Sequence, residues 1–457
     1  MSTIKLILSD LHLADGHPIL DSFGEQQQAA LEGLLRAAAP GGPLGNAEDV
    51  ELIINGDCFD FLAIPPYVAH NTTNPVIALE KWKTIPPTHL AFFEALRRFL
   101  RLPGRHVTFI TGNHDIELGF EEIRAAIRAE IRGEDQFERI CFSEARFYRP
   151  MPDVYIEHGH HFDFWNHAGD LWDENGSPRS HSPQILTLPV GTQYFQWAAH
   201  PISVRYPYFD RFDPSIGSAR QIALLCLLDP DSVIETAHRT MKMLSFHREA
   251  LEGLGASEER IPAKLFAQAM MDFAAFQQDM IARKPEWQPV EAFLRTHPTG
   301  QSDGQGEAFA EFVELCNVLT LSPVEAVRAI LAPKVYPMGE SVAHGMQNVL
   351  RSDPTLRYTI AGHTHMMRRD PVNNGSQVYL NTASWTKRQA VPTSDEITPA
   401  LVDWLREPGN QADPLHDITQ AVFALVRADD GGSSDACLCA WEGGEQGYYR
   451  VLPEGKE

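Results

Sequence analysis

The strongest constraint on the fold is a rhythm in the first 160 residues, in which an apolar run, a short polar loop and a segment of helical spacing follow one another repeatedly. The runs are "IKLILSD", "VELIINGD", "HVTFITGNHD" and "DVYIEHGH", each β-rich and ending in Asp, Asn or His beside Gly or Ser. Between them, "EQQQAALEGLLRAAA" and "HLAFFEALRRFLR" carry apolar residues at helical spacing. Strands alternating with helices predict an α/β layered fold, whose ligands gather at the carboxyl ends of the strands. The polar residues of this chain stand at those ends.

From about residue 165 to 350 the rhythm gives way to consecutive helical segments, among them "SARQIALLCLL", "SVIETAHRTMKMLSFHREALEGL", "PAKLFAQAMMDFAAFQQDMIAR", "EAFAEFVELCNVL" and "SPVEAVRAILA", with "HPTGQSDGQGE" as an exposed loop. An aromatic, proline-rich tract, "PVGTQYFQWAAHPISVRYPYFDRF", opens this stretch. Arg205, Arg211 and Arg220 stand among or after its aromatics, and read as stems laid over a helical surface in preference to a phosphate clamp. The strand pattern returns with "RYTIAGHTH", "GSQVYLNTASW", "AVFALVRADD" and "ACLCAWEGGEQGYYRVLP", the last two joined by "DGGSS" as a hairpin. The expected division is a first part of the core at 1–164, a helical insertion or cap at 165–350, and a second part of the core at 351–457 ending in the hairpin.

Composition narrows the class of partner. The chain of 457 residues holds 38 Lys and Arg against 61 Asp and Glu, a formal charge of −23. A surface that acidic repels a phosphate backbone, so nucleic acid is not the expected partner. The start, "MSTIKLILSDLHL", reads as a first strand and not as a signal peptide. No apolar run reaches the roughly 18 residues that span a bilayer. With six scattered cysteines read as reduced thiols, the expectation is a cytoplasmic protein, peripheral membrane contact left open. Oligomeric state has no signature here.

The strand ends supply Asp10 and His12 from "SDLHL", Asp57 from "NGDCFDF", Asn113 and His114 from "GNHD", His158 from "EHGH", and His363 and His365 from "AGHTH". Carboxylates, imidazoles and an amide oxygen together suit borderline-to-hard divalent ions such as Mn, Fe, Zn, Co or Ni. In D-x-H and H-x-H on extended backbone the two side chains share a face and can turn to one ion. Glycines beside Asp57, Asn113, His158 and His363 allow tight turns where those residues converge. Each fragment alone has an ordinary reading, Asp10 as a helix cap or His363 as a loop histidine. The five in order argue jointly for a metal centre.

That ordered set, D-x-H, G-D, G-N-H-D, H-G and G-H-x-H, resembles the calcineurin-like metallophosphoesterase superfamily. The resemblance implies a four-layer αββα sandwich with two metal ions, manganese foremost. Asp10, His12 and His365 would hold the first ion, Asn113, His158 and His363 the second, and Asp57 would bridge them. His114 would act as general acid or electrostatic partner at the leaving oxygen, its imidazole oriented by Asp115. "SDLHL", "GDCFDF" and "YLNTASW" are similar in part to the branch containing UDP-2,3-diacylglucosamine pyrophosphatases. The chain departs from that branch in having Phe61 and Leu62 where it carries Trp, and His114 where it commonly carries Arg.

At the margin, Asp60 reads either as a carboxylate behind a ligand or as a helix cap, and Asn381 either as a site contact or as a turn residue. His160 is a possible neighbour of the cavity, whereas His161 should face away. The expected function is hydrolysis of a phosphoester or phosphoanhydride bond by a metal-activated hydroxide. The expected substrate is a small or medium organic phosphate, such as a nucleotide-linked molecule, chosen by the helical cap. The alternatives are a nuclease of the same superfamily and a catalytically silent binding module on the same fold.

Overall fold

The computed structural model describes residues 3–453 except 67–71, 132–136, 230–231, 233–320, 333–338, 409–411, 419–420, 429–433 and short breaks between 164 and 217. Three of the expected helical segments ("SVIETAHRTMKMLSFHREALEGL", "PAKLFAQAMMDFAAFQQDMIAR" and "EAFAEFVELCNVL") and the "HPTGQSDGQGE" loop lie outside the described residues. The chain divides into two compact units, Met1–Gln193 with Met338–Arg388 and Ile418–Glu457, and Tyr194–Pro337 with Gln389–Asp417.

In the first unit the apolar runs become strands β1 (Thr3–Leu8), β2 (Asp49–Asn55), β3 (Arg105–Ile110), β4 (Ile140–Phe142), β5 (Phe147–Met151), β6 (Val154–Glu157), β7 (Tyr358–Ala361), β8 (Met367–Val372), β9 (Gln377–Thr382), β10 (Val422–Ala428), β11 (Ser434–Glu442) and β12 (Tyr448–Val451). One sheet runs β12-β11-β10-β1-β2-β3-β4 and the other β8-β9-β7-β6-β5. Strands β1, β2, β3 and β4 pair in parallel. Buried on both faces, the first three read in the sequence as nearly continuous apolar runs. Strand β10 pairs antiparallel to β1, with Thr3 opposite Ala428, so the chain's end closes beside its beginning. The expected hairpin is β10–β11, and the final segment folds back once more as β12.

The sandwich follows from which faces are apolar. Ile7, Ile53 and Ile110 of the first sheet meet Ile156, Ile360 and Leu380 of the second in a core between the sheets. On the outer face of the first sheet, Leu6, Leu52 and Phe109 pack in one cluster with Leu31 and Leu34 of α1 (Glu25–Ala37) and Phe93 and Leu96 of α2 (Leu90–Leu100). On the outer face of the second, Tyr155, Ala361 and Tyr379 meet Val342, Met346 and Leu350 of α3 (Glu340–Ser352). Helix, sheet, sheet and helix give the αββα layering of the α/β class.

The second unit has its own core, in which Tyr206, Tyr208 and Phe212 pack with Val327 and Ile330 of the helix Pro323–Leu331 and with Trp404 and Leu405 of the helix Pro399–Arg406. Two of its arginines are engaged internally: Arg220 donates to the Ile330 carbonyl at 2.9 Å, and Arg205 lies 2.9 Å from Asp229. No helix among the described residues is long and apolar enough to cross a membrane.

Ile53 is fully buried between the sheets. Ile53→Ala is expected to cost about 2–5 kcal/mol of stability, measured by urea unfolding of the purified chain.

Candidate metal centre

The candidate residues all follow strands. Asp10 and His12 come after β1, Asp57 after β2, Asn113 and His114 after β3, His158 after β6, and His363 and His365 after β7. The loops are laced together by the backbone: the amides of Leu11 and His12 donate to the Asp57 carbonyl at 2.9 and 3.0 Å, that of Asp10 to the Gly56 carbonyl at 3.1 Å, and that of Gly362 to the His158 carbonyl at 3.0 Å. Side chains from both sheets thereby meet at one place.

The backbone there differs from the expectation. Asp10, His12, Asp57, His363 and His365 have φ of 55°, 52°, 51°, 68° and 56°, in the left-handed region. In D-x-H and H-x-H the paired side chains converge because both residues turn left-handed, not because an extended strand alternates. Such φ values cost roughly 1–3 kcal/mol each and persist where surrounding structure over-determines them. Glycine does the same work nearby. A Cβ on Gly112 would stand 2.1 Å from the Asp57 carboxylate and 2.5 Å from its amide nitrogen, and one on Gly56 2.3 Å from His158 Nδ1.

Three groups of ligand atoms result among the described residues, one of them His12, Asp60 and His114 and the other two gathered around Asp10 and Asp57. In the Asp10 group, His12 Nε2 faces His365 Nε2 at 3.2 Å, and Asp10 Oδ1 lies 3.1 Å from His365 Nε2. In the Asp57 group, His158 Nε2 lies 3.1 Å from Asp57 Oδ2, with His363 beside them. Asp57 Oδ2 is also 3.8 Å from His12 Nε2, so this carboxylate stands between those two groups. Its other oxygen accepts from the His114 amide at 2.8 Å. The far ring nitrogens are held too: His158 Nδ1 donates to the Asn55 carbonyl at 2.8 Å, and His12 Nδ1 lies 3.1 Å from Asp60. Partners of this kind fix the tautomer and leave the inner nitrogen's lone pair free.

The donor set fits divalent cations. Two fully buried carboxylates, Asp10 and Asp57, face imidazole nitrogens. Asn113 is buried, and its Oδ1 has no hydrogen-bond partner among the described residues, an acceptor that a cation would satisfy. The electrostatics ask for positive charge. Burial alone would lower the pKa of His158, yet Asp57 and Asp10 carry it up to about 10. Burial would raise that of Asp10, yet His158 and His365 pull it down to about 2.

Asp60 lies between two histidines, its Oδ2 3.1 Å from His12 Nδ1 and its Oδ1 3.0 Å from His114 Nδ1. Burial works to lower the His114 pKa, but Asp60 and Asp57 raise it to about 9. The sequence reading assigned the orientation of His114 to Asp115. The carboxylate against that imidazole is instead Asp60, while Asp115 accepts from the amides of Gly112, Cys58 and Phe59 at 2.6, 2.9 and 3.4 Å. Asp115 braces the β2 and β3 loops against each other, because successive side chains diverge and its carboxylate turns back to the amides.

The marginal residues resolve by their contacts. Asn381 donates to the Gly362 carbonyl at 2.8 Å and accepts from the Ala383 amide at 3.1 Å, supporting the turn before His363. Trp385 is fully buried, and its indole donates to the Val422 carbonyl at 2.6 Å. His160 is buried with its ring centroid 5.4 Å from that of His158 and 6.4 Å from that of His363. Burial, then His158 and His363, push its pKa well down. His161 stacks instead near His167, centroids 4.1 Å apart. Sequence reasoning left out Asp163, whose Oδ2 lies 3.1 Å from His363 Nε2; its only signal was a carboxylate three residues after the His158-Gly159-His160 turn.

Residues 6–207 match the family model described as calcineurin-like phosphoesterase. No curated protein matches the chain. Among solved structures, a phosphopantetheinyl hydrolase from Mycobacterium tuberculosis is similar at 10% identity, with 91% of this chain and 96% of that one covered and a TM-score of 0.23.

Gly112→Ala forces its methyl group into Asp57. The expected result is a loss of about 1–3 kcal/mol of stability together with weakened metal binding, measured by urea unfolding and by metal titration of the chelator-treated protein.

Proposed function

We propose that this chain, whose residues 6–207 match the calcineurin-like phosphoesterase family model, hydrolyses a phosphoester or phosphoanhydride bond of a small or medium organic phosphate with two divalent ions, manganese foremost. Asp10, His12 and His365 would hold one ion, Asn113, His158 and His363 the other, and Asp57 would touch both. The observation that carries this reading is the position of the Asp57 carboxylate, within 3.1 Å of His158 Nε2 and 3.8 Å of His12 Nε2. When bound, the ions supply the Lewis acidity that lets water attack phosphorus near neutral pH and the charge that stabilises the phosphoryl oxygens.

The chain's own groups complete the reaction. Asp60 engages His114 Nδ1, and Nε2 is assigned to the leaving oxygen. Against burial, Asp60 and Asp57 raise the pKa of that imidazole, and its contact with the Asp60 carboxylate suits a general acid or a partner for developing negative charge. Asp60 also ties His114 to His12, coupling the acid to the first ion's ligands. The formal charge of −23 favours small phosphates over long nucleic acid. Substrate choice is assigned to the 165–350 segment, and the place of action to the cytoplasm.

Purified protein is expected to contain two transition-metal ions per chain and, with added manganese, to hydrolyse bis-p-nitrophenyl phosphate or p-nitrophenyl phosphate. Asp57→Asn should lose most metal and activity. His114→Ala should keep its metal and lower kcat by about 10²–10⁴-fold. Protein that holds no transition metal and cleaves neither ester refutes the reading, and near-normal turnover in Asp57→Asn removes the bridging role.

A further inference from the structure

We propose that Asp163 and Asn166 are positioning residues that fix which atoms His363 and Asn113 present to the second ion, an inference that rests on the two-ion reading above. The observation is a continuous hydrogen-bonded path. His363 Nε2 lies 3.1 Å from Asp163 Oδ2, Asn166 Nδ2 donates to that same oxygen at 2.7 Å, and Asn113 Nδ2 donates to Asn166 Oδ1 at 3.3 Å. The turn that carries both residues is tied by its backbone, the Asp163 amide donating to the His160 carbonyl and the Asn166 amide to the Asp163 carbonyl, each at 3.1 Å.

The direction of every bond on this path follows from one charge. An ionised carboxylate only accepts hydrogen bonds. Asp163 therefore draws the proton of His363 to Nε2, which leaves the Nδ1 lone pair for an ion. The same oxygen draws the NH₂ end of Asn166 toward itself, which turns Asn166 Oδ1 toward Asn113. That oxygen in turn draws the NH₂ end of Asn113, so Asn113 Oδ1 is left pointing away from the path. The atom left over is the buried oxygen that has no hydrogen-bond partner among the described residues.

Without Asp163 the contacts among the described residues no longer set the direction of the imidazole or of the two amides. An Asn113 turned the other way would present N–H donors to a cation, and a His363 protonated at Nδ1 would present no lone pair there. Asp163 thus serves the second ion as Asp60, 3.1 Å from His12 Nδ1, serves the first. Loss of such partners of metal ligands typically costs 10–100-fold in metal affinity.

The test is stepwise manganese titration of chelator-treated protein by calorimetry, with apo-protein stability followed by circular dichroism. The parent chain should bind two ions. Asp163→Ala should weaken one step by about 10–100-fold and leave the other step and the apo stability unchanged. Asn166→Ala should weaken the same step less, and Asp163→Asn, which keeps an acceptor oxygen, should recover part of the loss. In an Asn113→Ala background, Asn166→Ala should add nothing, since both act through one ligand. Two ions bound with parent affinity by both alanine variants overturn the proposal and leave the two-ion reading standing. Equal weakening of both steps with lowered apo stability also overturns it, as that is the mark of a merely structural role. A parent chain that binds fewer than two ions removes the underlying reading itself.

Discussion

Two buried carboxylates that cannot be neutralised by water organise this end of the molecule. Asp10 and Asp57 are almost completely excluded from solvent, and they sit at the ends of adjacent parallel strands. Burying an ionised carboxylate without a partner is costly enough that the surroundings must supply compensation. Here they do so in two ways. Backbone amides of His363 and His114 donate to Asp10 and Asp57 respectively, and imidazole nitrogens from both sheets face the remaining oxygens. The left-handed backbone at five of the converging residues and the glycines at 56 and 112 are what such close approach requires.

Much of the fold was legible because the central strands are parallel and buried on both faces. "IKLIL" and "ELII" are apolar but for Lys5 and Glu51, which pair with each other at 2.9 Å, and a polar residue beside glycine or serine marks where each strand ends. The convergence of the motif residues was legible for the same reason, since parallel strands bring their carboxyl ends to one edge. The backbone state of those residues was not. An Asp-x-His on a strand end gives no sign that both residues turn left-handed; that is imposed by hydrogen bonds to the neighbouring loop.

Partners were hidden for a related reason. Asp115 follows His114 in sequence, yet its carboxylate turns to backbone amides, and the group against the imidazole is Asp60, from another strand's loop. Asp163 and Asn166 look like ordinary turn residues until the fold carries them to residues 113 and 363. The helix Glu340–Ser352 falls inside the stretch read as a helical insertion yet packs on the second sheet, and its amphipathic pattern does not state which body it joins. Contacts across such distances are set by tertiary structure, to which periodicity is blind.

The route of the chain through the first sheet has a consequence for its synthesis. His12 and His365 are separated by 353 residues, which at about 5–20 residues per second take on the order of tens of seconds to translate. Throughout that interval the nascent chain holds Asp10, His12 and Asp57 without the histidine pair that faces them. Strand β1, which ends between β2 and β10, has one edge open until Val422–Ala428 emerges, and open edges are sites of wrong pairing. The ribosome therefore releases the last site residues first and the strand Val422–Ala428 some 57 residues after His365. Completion of the candidate metal centre and closure of the sheet are in that sense both late events.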